Sequence, residues 1–415
     1  MRLPHIDYSA RFVSDDTSKG VMFNGWNRSS AIQPGEKTSK RALLKTLKCE
    51  PCHMESNVIQ RSRAISYGRG MKQPGFFDFS ERQKKLLKTR DFLERVSLLV
   101  AWETFRPVLD KALERKNHDK GGRPAYDAVL MFKVLVLQAL YNLSDEQTEY
   151  QILDRMSFMR FLGLELCDAV PDARTIWLFR EKLIAAEAVE KLFAQFDAML
   201  STAGFTASGG QIIDATFVEV PRQRNSRDDN ETIKKGEVPA DWNDKKKAHK
   251  DTDARWTKKN KTAFYGYKNH VNVDRKHKLI RKYKVTDASV HDSQELDNVL
   301  DPNNDAQETW ADSAYRSEEQ EARLKDKGCT SNIHERAYRN KPLTPEQSAA
   351  NTERSRVRVR VEHVFGHIET AMNGCYVRTI GFMRAQAKIG LENLAYNVSR
   401  FVFLAGGSNA TLASA

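Results

Sequence analysis

The run QIIDATFVEV, Gln211–Val220, follows the pair Gly209–Gly210 and is a nearly continuous series of apolar and β-branched residues. A run of that kind is the mark of a central strand, covered on both faces. Asp214 stands in its middle. An ionised carboxylate there costs on the order of several kcal/mol unless it is paired or bound to a metal. One short stretch therefore sets the start of a sheet and marks the first candidate site residue.

Downstream, FYGYKNHVNVD and LIRKYKVTDASV read as two more strands with a tight turn near Asp274. HDSQELDNVL begins a helix, with Asp292 as its cap and Glu295 at N3. ETWADSAY is a short strand. SEEQEARLKDKG is a helix with a capping box, Ser317 with Gln320, ended by Gly328. CTSNIHER is a fifth strand, and an amphipathic helix from about Met383 to Leu404 closes the core. The stretch RSRVRVRVEHVFGHIE, Arg354–Glu369, alternates like a strand, but Val361, Phe365 and Ile368 continue at helical spacing. Read as a helix, it sets Arg358 one turn before Glu362. Three strands able to form a meander, then strands alternating with helices, predict an α/β domain with a mixed five-stranded sheet flanked by helices over 206–405.

Upstream, 71–205 is helical. DAVLMFKVLVLQAL is apolar almost all round and reads as a buried helix. SDEQTEYQILDRM opens on a capping box, Ser144 with Gln147. DARTIWLFREKL and AVEKLFAQFDAML complete an all-helical N-terminal domain. Residues 1–70 have no sustained periodicity and are rich in Ser, Arg, Lys and Gly, so a poorly ordered arm is expected there, with a flexible tail at 406–415.

No stretch gives eighteen uninterrupted apolar residues and the start has no apolar h-region, so a cytoplasmic protein without a membrane span is expected. Five scattered cysteines argue against a disulfide framework. CEPCH, Cys49 to His53, matches the haem-attachment pattern, but that chemistry needs export, and no haem is expected. His270, His277, His291 and His363 have no zinc spacing and read as structural or DNA-facing.

The net charge of +12 is concentrated. From Arg222 to Lys284 twenty Lys and Arg stand against nine Asp and Glu, nearly the whole surplus. Trp242, Trp256, Phe264, Tyr265 and Tyr267 lie within the same block, which favours a nucleic-acid groove over a membrane surface. Lys245, Lys246, Lys247, Lys258, Lys259 and Lys268 are its candidate DNA contacts.

Two further carboxylates join Asp214. Asp312 lies at the C-terminal end of the fourth strand, where open α/β sheets place ligands, and Glu362 projects from a helix able to pack beside both. Three oxygen donors at one sheet edge suit Mg²⁺ or Mn²⁺.

From about Met71 to Leu404 the chain resembles transposases of the bacterial insertion-sequence IS5 group, in the DDE superfamily with an RNase H-like catalytic domain. The resemblance rests on GGRPAYDAVLMFKVLVLQALYNLSDEQTEYQILDR, SFMRFLGLEL, VPDARTIWLFREKL, QIIDAT, WADSAYRS, RVEHVFG and RTIGFMRAQAKIGLENLAYN. It implies that Asp214, Asp312 and Glu362 are the catalytic triad holding two Mg²⁺ or Mn²⁺ ions. It also implies cleavage of double-stranded DNA at terminal inverted repeats, joining of the 3′-hydroxyl ends to target DNA, and at least a homodimer on paired ends. The basic insertion at about 222–262 would be an accessory DNA-contacting hairpin or loop. Arg354, Arg356, Arg358 and Arg360 would hold DNA phosphates beside the metals. The group's Tyr-x-x-Arg-x-x-x-Glu-x-x-x-x-x-x-Lys signature is met at Arg358 and Glu362, whereas Ser355 and Glu369 depart from it. The first seventy residues match nothing in the group, which makes Met71 a candidate for the genuine start. The alternatives are a catalytically inactive or domesticated DNA-binding relative, and an RNase H-like nuclease without strand transfer.

Overall fold

The computed structural model describes residues 75, 77–87, 91–114, 124–259, 261–338 and 342–407. The expected N-terminal arm, the CEPCH motif and the last eight residues of the expected tail lie outside them.

The helical part comprises α1 (Asp78–Leu87), α2 (Phe92–Leu99), α3 (Arg106–Leu113), α4 (Ala128–Tyr141), α5 (Asp145–Asp154), α6 (Met156–Leu162), α7 (Ala173–Ala185) and α8 (Ala188–Thr202). Its local signals act as the residues dictate. Asp127 caps α4 by accepting from the Leu130 N–H. The Ser144–Gln147 capping box at α5 is complete in both directions. α4 is buried nearly all round, from Ala128 to Leu140.

The sheet-bearing part follows as β1 (Gln211–Glu219), α9 (Arg227–Lys234), α10 (Asp244–Ala248), β2 (Arg255–Lys259), β3 (Thr262–Asp274), β4 (Ile280–Asp287), α11 (Leu296–Val299), β5 (Glu308–Trp310), α12 (Glu318–Asp326), β6 (Thr330–Ser331), α13 (Pro345–Thr370) and α14 (Phe382–Gly407). The strand order is β2-β3-β1-β5-β6, with β4 also on β3. β1 is antiparallel to β3 and parallel to β5, and β5 is parallel to β6.

The sheet thus has six described strands where five were expected. The extra one, β2, comes from the basic insertion, which forms α9 and α10 and then a hairpin with β3. The long β3 accommodates it by pairing with β2 over Thr262–Gly266 and with β4 from Tyr267 onward. Two caps also differ from expectation. His291, not Asp292, caps the helical turn after β4, because the Asp292 carboxylate is engaged by Lys268 at 2.8 Å. At α12 Ser317 accepts from the Gln320 N–H, but the Gln320 side chain donates to the Ser293 carbonyl instead of returning to Ser317.

One hydrophobic cluster runs from the helical part (Phe105, Phe132, Phe196) through α14 (Leu394, Phe401) to the sheet (Ile212, Val271, Ile280) and α13 (Val361, Val364). The opposite face of β1, at Ile213, is covered by α11 and α12 through Leu296, Val299 and Leu324. β1 is therefore sandwiched, as its apolar run requires.

Gly266 is the point where β3 leaves β4 and meets β2 and β1 together. Its φ is +150°, and a Cβ there would run into the Val218 carbonyl oxygen and stand 3.1 Å from the Val220 nitrogen. Gly266→Ala is expected to cost about 1–3 kcal/mol, read as a lower urea midpoint. An unchanged midpoint would show that β3 can move clear of β1 at this position.

Candidate active site

Side chains alternate along β1, so Asp214 shares a face with Ile212 and Val218, the face covered by α13 and α14, while Ile213 points to α11 and α12. The register sets the neighbours. Ile212 pairs with Trp310 on β5, and Thr309 pairs with Ser331 on β6. Backbone bonds prolong the β5–β6 pairing, from the Asn332 N–H to the Thr309 carbonyl (2.8 Å) and from the His334 N–H to the Ala311 carbonyl (3.2 Å). Continued past the ends of β5 and β6, these registers bring Asp214, Asp312 and His334 abreast. Asp312 also caps the turn Ser313–Tyr315 by accepting from the Ser313 N–H.

Arg358 reaches into this row from α13. Its Nη2 donates to Asp214 Oδ2 at 3.2 Å, and its Nη1 lies 3.9 Å from Asp312 Oδ1. Asp214 Oδ1 accepts from the Ala215 N–H at 2.9 Å. Burial pushes the Asp214 carboxyl above its ordinary range, the Arg358 charge pulls it back, and Asp312 adds to the rise. Burial opposes the Arg358 charge, but Asp214, Asp312 and Glu362 outweigh it and hold the guanidinium protonated. Tyr315 is fully buried close by, and burial together with the Asp214, Asp292 and Asp312 charges keeps its hydroxyl protonated.

His334 is the residue that sequence reasoning passed over. Burial and the Arg358 charge lower its pKa, so the imidazole is neutral at pH 7, with Ser355 Oγ 3.3 Å from Nε2. The signal for it lay in counting CTSNIHER forward from the β5 register. Ser355, one of the departures from the signature, thus has a partner of its own.

Glu362 is exposed on α13, one turn beyond Arg358. Among the described residues no group of three or more His, Cys, Asp or Glu is placed to hold a metal ion. The geometry joins Asp214 and Asp312 through Arg358 and leaves Glu362 on the solvent side. The charge balance nevertheless suits a hard cation: three carboxylates supply only oxygen donors, and one guanidinium balances them incompletely.

The arginine run does not form one clamp. Successive alternate positions rotate about 200° around a helix, so the run splits onto two faces, Arg354 with Arg358 and Arg356 with Arg360. Arg354 donates to the Ile333 carbonyl at 2.9 Å and lies 3.5 Å from Glu335. Arg360 donates to the Arg275 carbonyl at 2.6 Å. Arg356 is exposed and pairs with Glu353 at 2.6 Å. Among the candidate lysines, Lys245, Lys247, Lys258 and Lys259 are exposed, and Lys246 packs over the Trp242 ring. Lys268 is buried and bonds the Val290 carbonyl and Asp292, so its charge is used inside the protein. Of the block's aromatics Trp242, Tyr265 and Tyr267 are buried, Phe264 stacks on Phe217, and Trp256 is 47% exposed. His270 is buried with its pKa down at about 4, His277 abuts Asp274, His291 is a cap, and His363 accepts from Lys278.

Residues 206–398 match the family described as the transposase DDE domain, and residues 81–182 match the family described as a transposase domain, DUF772. The mixed open sheet with flanking helices fits the RNase H-like fold of such a domain. Among solved structures, a cryo-EM piggyBac transposase synaptic complex with hairpin DNA matches 72% of this chain and 73% of that chain, at 12% identity and a TM-score of 0.36. The two family matches support a DNA transposase.

The raised Asp214 pKa has a consequence for stability. The cost of burying its charge exists only where the unfolded chain is ionised, above the ordinary carboxylate range, and vanishes below about pH 4, where both states are protonated. Asp214→Asn is therefore expected to raise the melting temperature at pH 7, with the gain disappearing as the pH falls below 4. A lower melting temperature at pH 7 would mean that the bond to Arg358 outweighs the cost of burial.

Proposed function

We propose that this chain, with a transposase DDE domain match at 206–398 and a helical transposase domain match at 81–182, is the DNA transposase of a bacterial insertion sequence of the IS5 group. It acts on DNA in the cytoplasm, as a homodimer when two ends are paired. The observation that carries the reading is the meeting of Asp214 and Asp312 on one cation, abreast on adjacent parallel strands, within the matched domain.

Asp214 supplies carboxylate oxygens from within β1, Asp312 from just beyond β5, and Glu362 supplies a third from α13. Mg²⁺ or Mn²⁺ held there would polarise the scissile phosphate and stabilise the leaving oxygen. In the first step water attacks phosphorus at the end of the element, the bond to the 3′ oxygen breaks, and a free 3′-hydroxyl remains. In the second step that hydroxyl attacks a phosphodiester of the target, forming a new bond to phosphorus and releasing a target 3′-hydroxyl. Phosphoryl transfer of this kind depends on positioning and charge neutralisation more than on side-chain acids and bases. Arg358 is suited to both states of such a site, as the countercharge before ions bind and as a phosphate contact afterwards. The exposed lysines of α10 and β2 provide the salt-sensitive grip on the backbone.

The direct test is cleavage of a duplex carrying the element's terminal repeats. Mg²⁺-dependent 3′-hydroxyl ends should form, vanish with EDTA, and fall at least about 100-fold in Glu362→Gln and Asp214→Asn. Pre-cleaved ends should then join to a target plasmid. Tight binding of the repeats with no cutting would identify a DNA-binding relative, and cutting without joining a nuclease.

A further inference from the structure

On the flank of α13 that carries His363 and His367 lies a cleft of about 460 Å³ between α2, the β3–β4 turn, α13 and α14. Lys278, Arg400, Arg95, His363 and His367 line it. It contains no carboxylate among its lining residues. The cations instead bond to neutral groups: Lys278 donates to His363 Nδ1 at 2.7 Å, Arg400 to the His277 carbonyl at 2.7 Å, and Arg95 to the Val402 carbonyl at 2.6 Å. Burial depresses the Lys278 ammonium, and the Arg400 and Arg360 charges depress it further, with no anion offsetting them. Half-buried cations elsewhere divide: Arg180 pairs with Asp145 and Arg160 with Asp91, whereas Arg360 and Lys282 bond the Arg275 and Leu300 carbonyls.

The backbone at Lys278 makes the same point independently. Lys278 adopts φ +59°, a left-handed conformation that favours Gly or Asn. The turn is held there by Asp274, which accepts from the His277 and Leu279 N–H groups, and by the Tyr396 hydroxyl, which donates to the Lys278 carbonyl. Nothing in the turn calls for a lysine. Its side chain is directed to His363 on the wall of the cleft. On the rim, Phe403 is 67% exposed with the Arg400 guanidinium 4.9 Å from its ring centroid. Cations without carboxylate partners are the chemistry that holds a nucleic-acid backbone phosphate.

We infer that this cleft is a second DNA contact, seating a backbone phosphate of the duplex against Lys278 and Arg400, apart from the carboxylate row and from the basic insertion. The inference rests on the transposase reading for the identity of the anion.

Lys278→Asn tests it, because asparagine suits the left-handed turn and the variant should be at least as stable as the parent. The full chain would be titrated with a labelled duplex of unrelated sequence between about 50 and 200 mM salt. The variant should bind more weakly, with a salt slope shallower by about one phosphate contact. In the parent protein, the same duplex should protect Lys278 from amine acetylation, read by mass spectrometry. Wild-type affinity and slope in the variant would overturn the inference and leave the transposase reading standing. Equal protection of Lys278 by inorganic phosphate at matched phosphate concentration would overturn it in favour of a free-anion site. A parent protein that binds no duplex at any of these salt concentrations would remove both readings together.

Discussion

The carboxylate of Asp214 is set in the middle of a strand that is covered on both faces. A strand like β1 tolerates such a group only with a countercharge, and the chain supplies one from a helix 144 residues further on. That single bond constrains much else. It fixes which face of the sheet α13 must cover. It fixes the rotation of α13 about its own axis, since Val361 and Val364 must enter the core while Arg358 faces the row of acids. It also explains why the site is incompletely neutralised: one guanidinium cannot balance Asp214, Asp312 and Glu362. A region that remains electronegative after folding is prepared to take up further positive charge.

The second constraint is the way α14 is keyed into the sheet. Asn397 takes both backbone groups of Ile280, donating to its carbonyl at 2.7 Å and accepting from its N–H at 2.9 Å. Asn393 and Asn269 exchange amide bonds at 2.9 and 3.1 Å. These asparagines are buried, and each is satisfied, so they hold one rotation and one register where apolar residues would allow several. α14 also packs against α4 and α8, which makes it the element through which the helical part and the sheet share one core. A sequence window over α14 reads as amphipathic because its polar residues are genuine. What the window does not show is that some of them face inward.

The same distinction governs how much could be read from the chain alone. β1 was legible because an unbroken apolar run has few other uses, and α13 because Val361 and Ile368 keep helical spacing beneath a strand-like pattern of arginines. The capping box of α5 was legible because it is local. Asp292 and Gln320 were misjudged as cap residues because their partners, Lys268 and the Ser293 carbonyl, come from elsewhere in the fold. Lys268 was read as a DNA contact and Trp242 as part of the same basic, aromatic block, yet both side chains turn inward. β2 was missed because RWTKK is too polar and short to announce a strand, and gains its order from β3. His334 was missed because only the register of three parallel strands brings it beside Asp312.

Positive charge in this protein therefore divides by its partner rather than by its position in the sequence. The arginines of α13, crowded in one stretch, are taken up by Asp214, by Glu353 and by the carbonyls of Ile333 and Arg275. The lysines of α10 and β2 stay near the surface, some with distant aspartates at about the ion-pair limit, where screening leaves little attraction. The cations of the cleft beside α13 are dispersed through the sequence, at positions 95, 278 and 400, and meet only in the fold. A polyanion samples the folded surface, not the composition. Partly buried cations without carboxylates gain more from a phosphate than exposed ones already surrounded by water, because the lower dielectric strengthens the attraction and the anion relieves repulsion already present. On the transposase reading, the net charge of the chain would draw DNA to the protein, and the cations of the cleft would set where a backbone phosphate is seated.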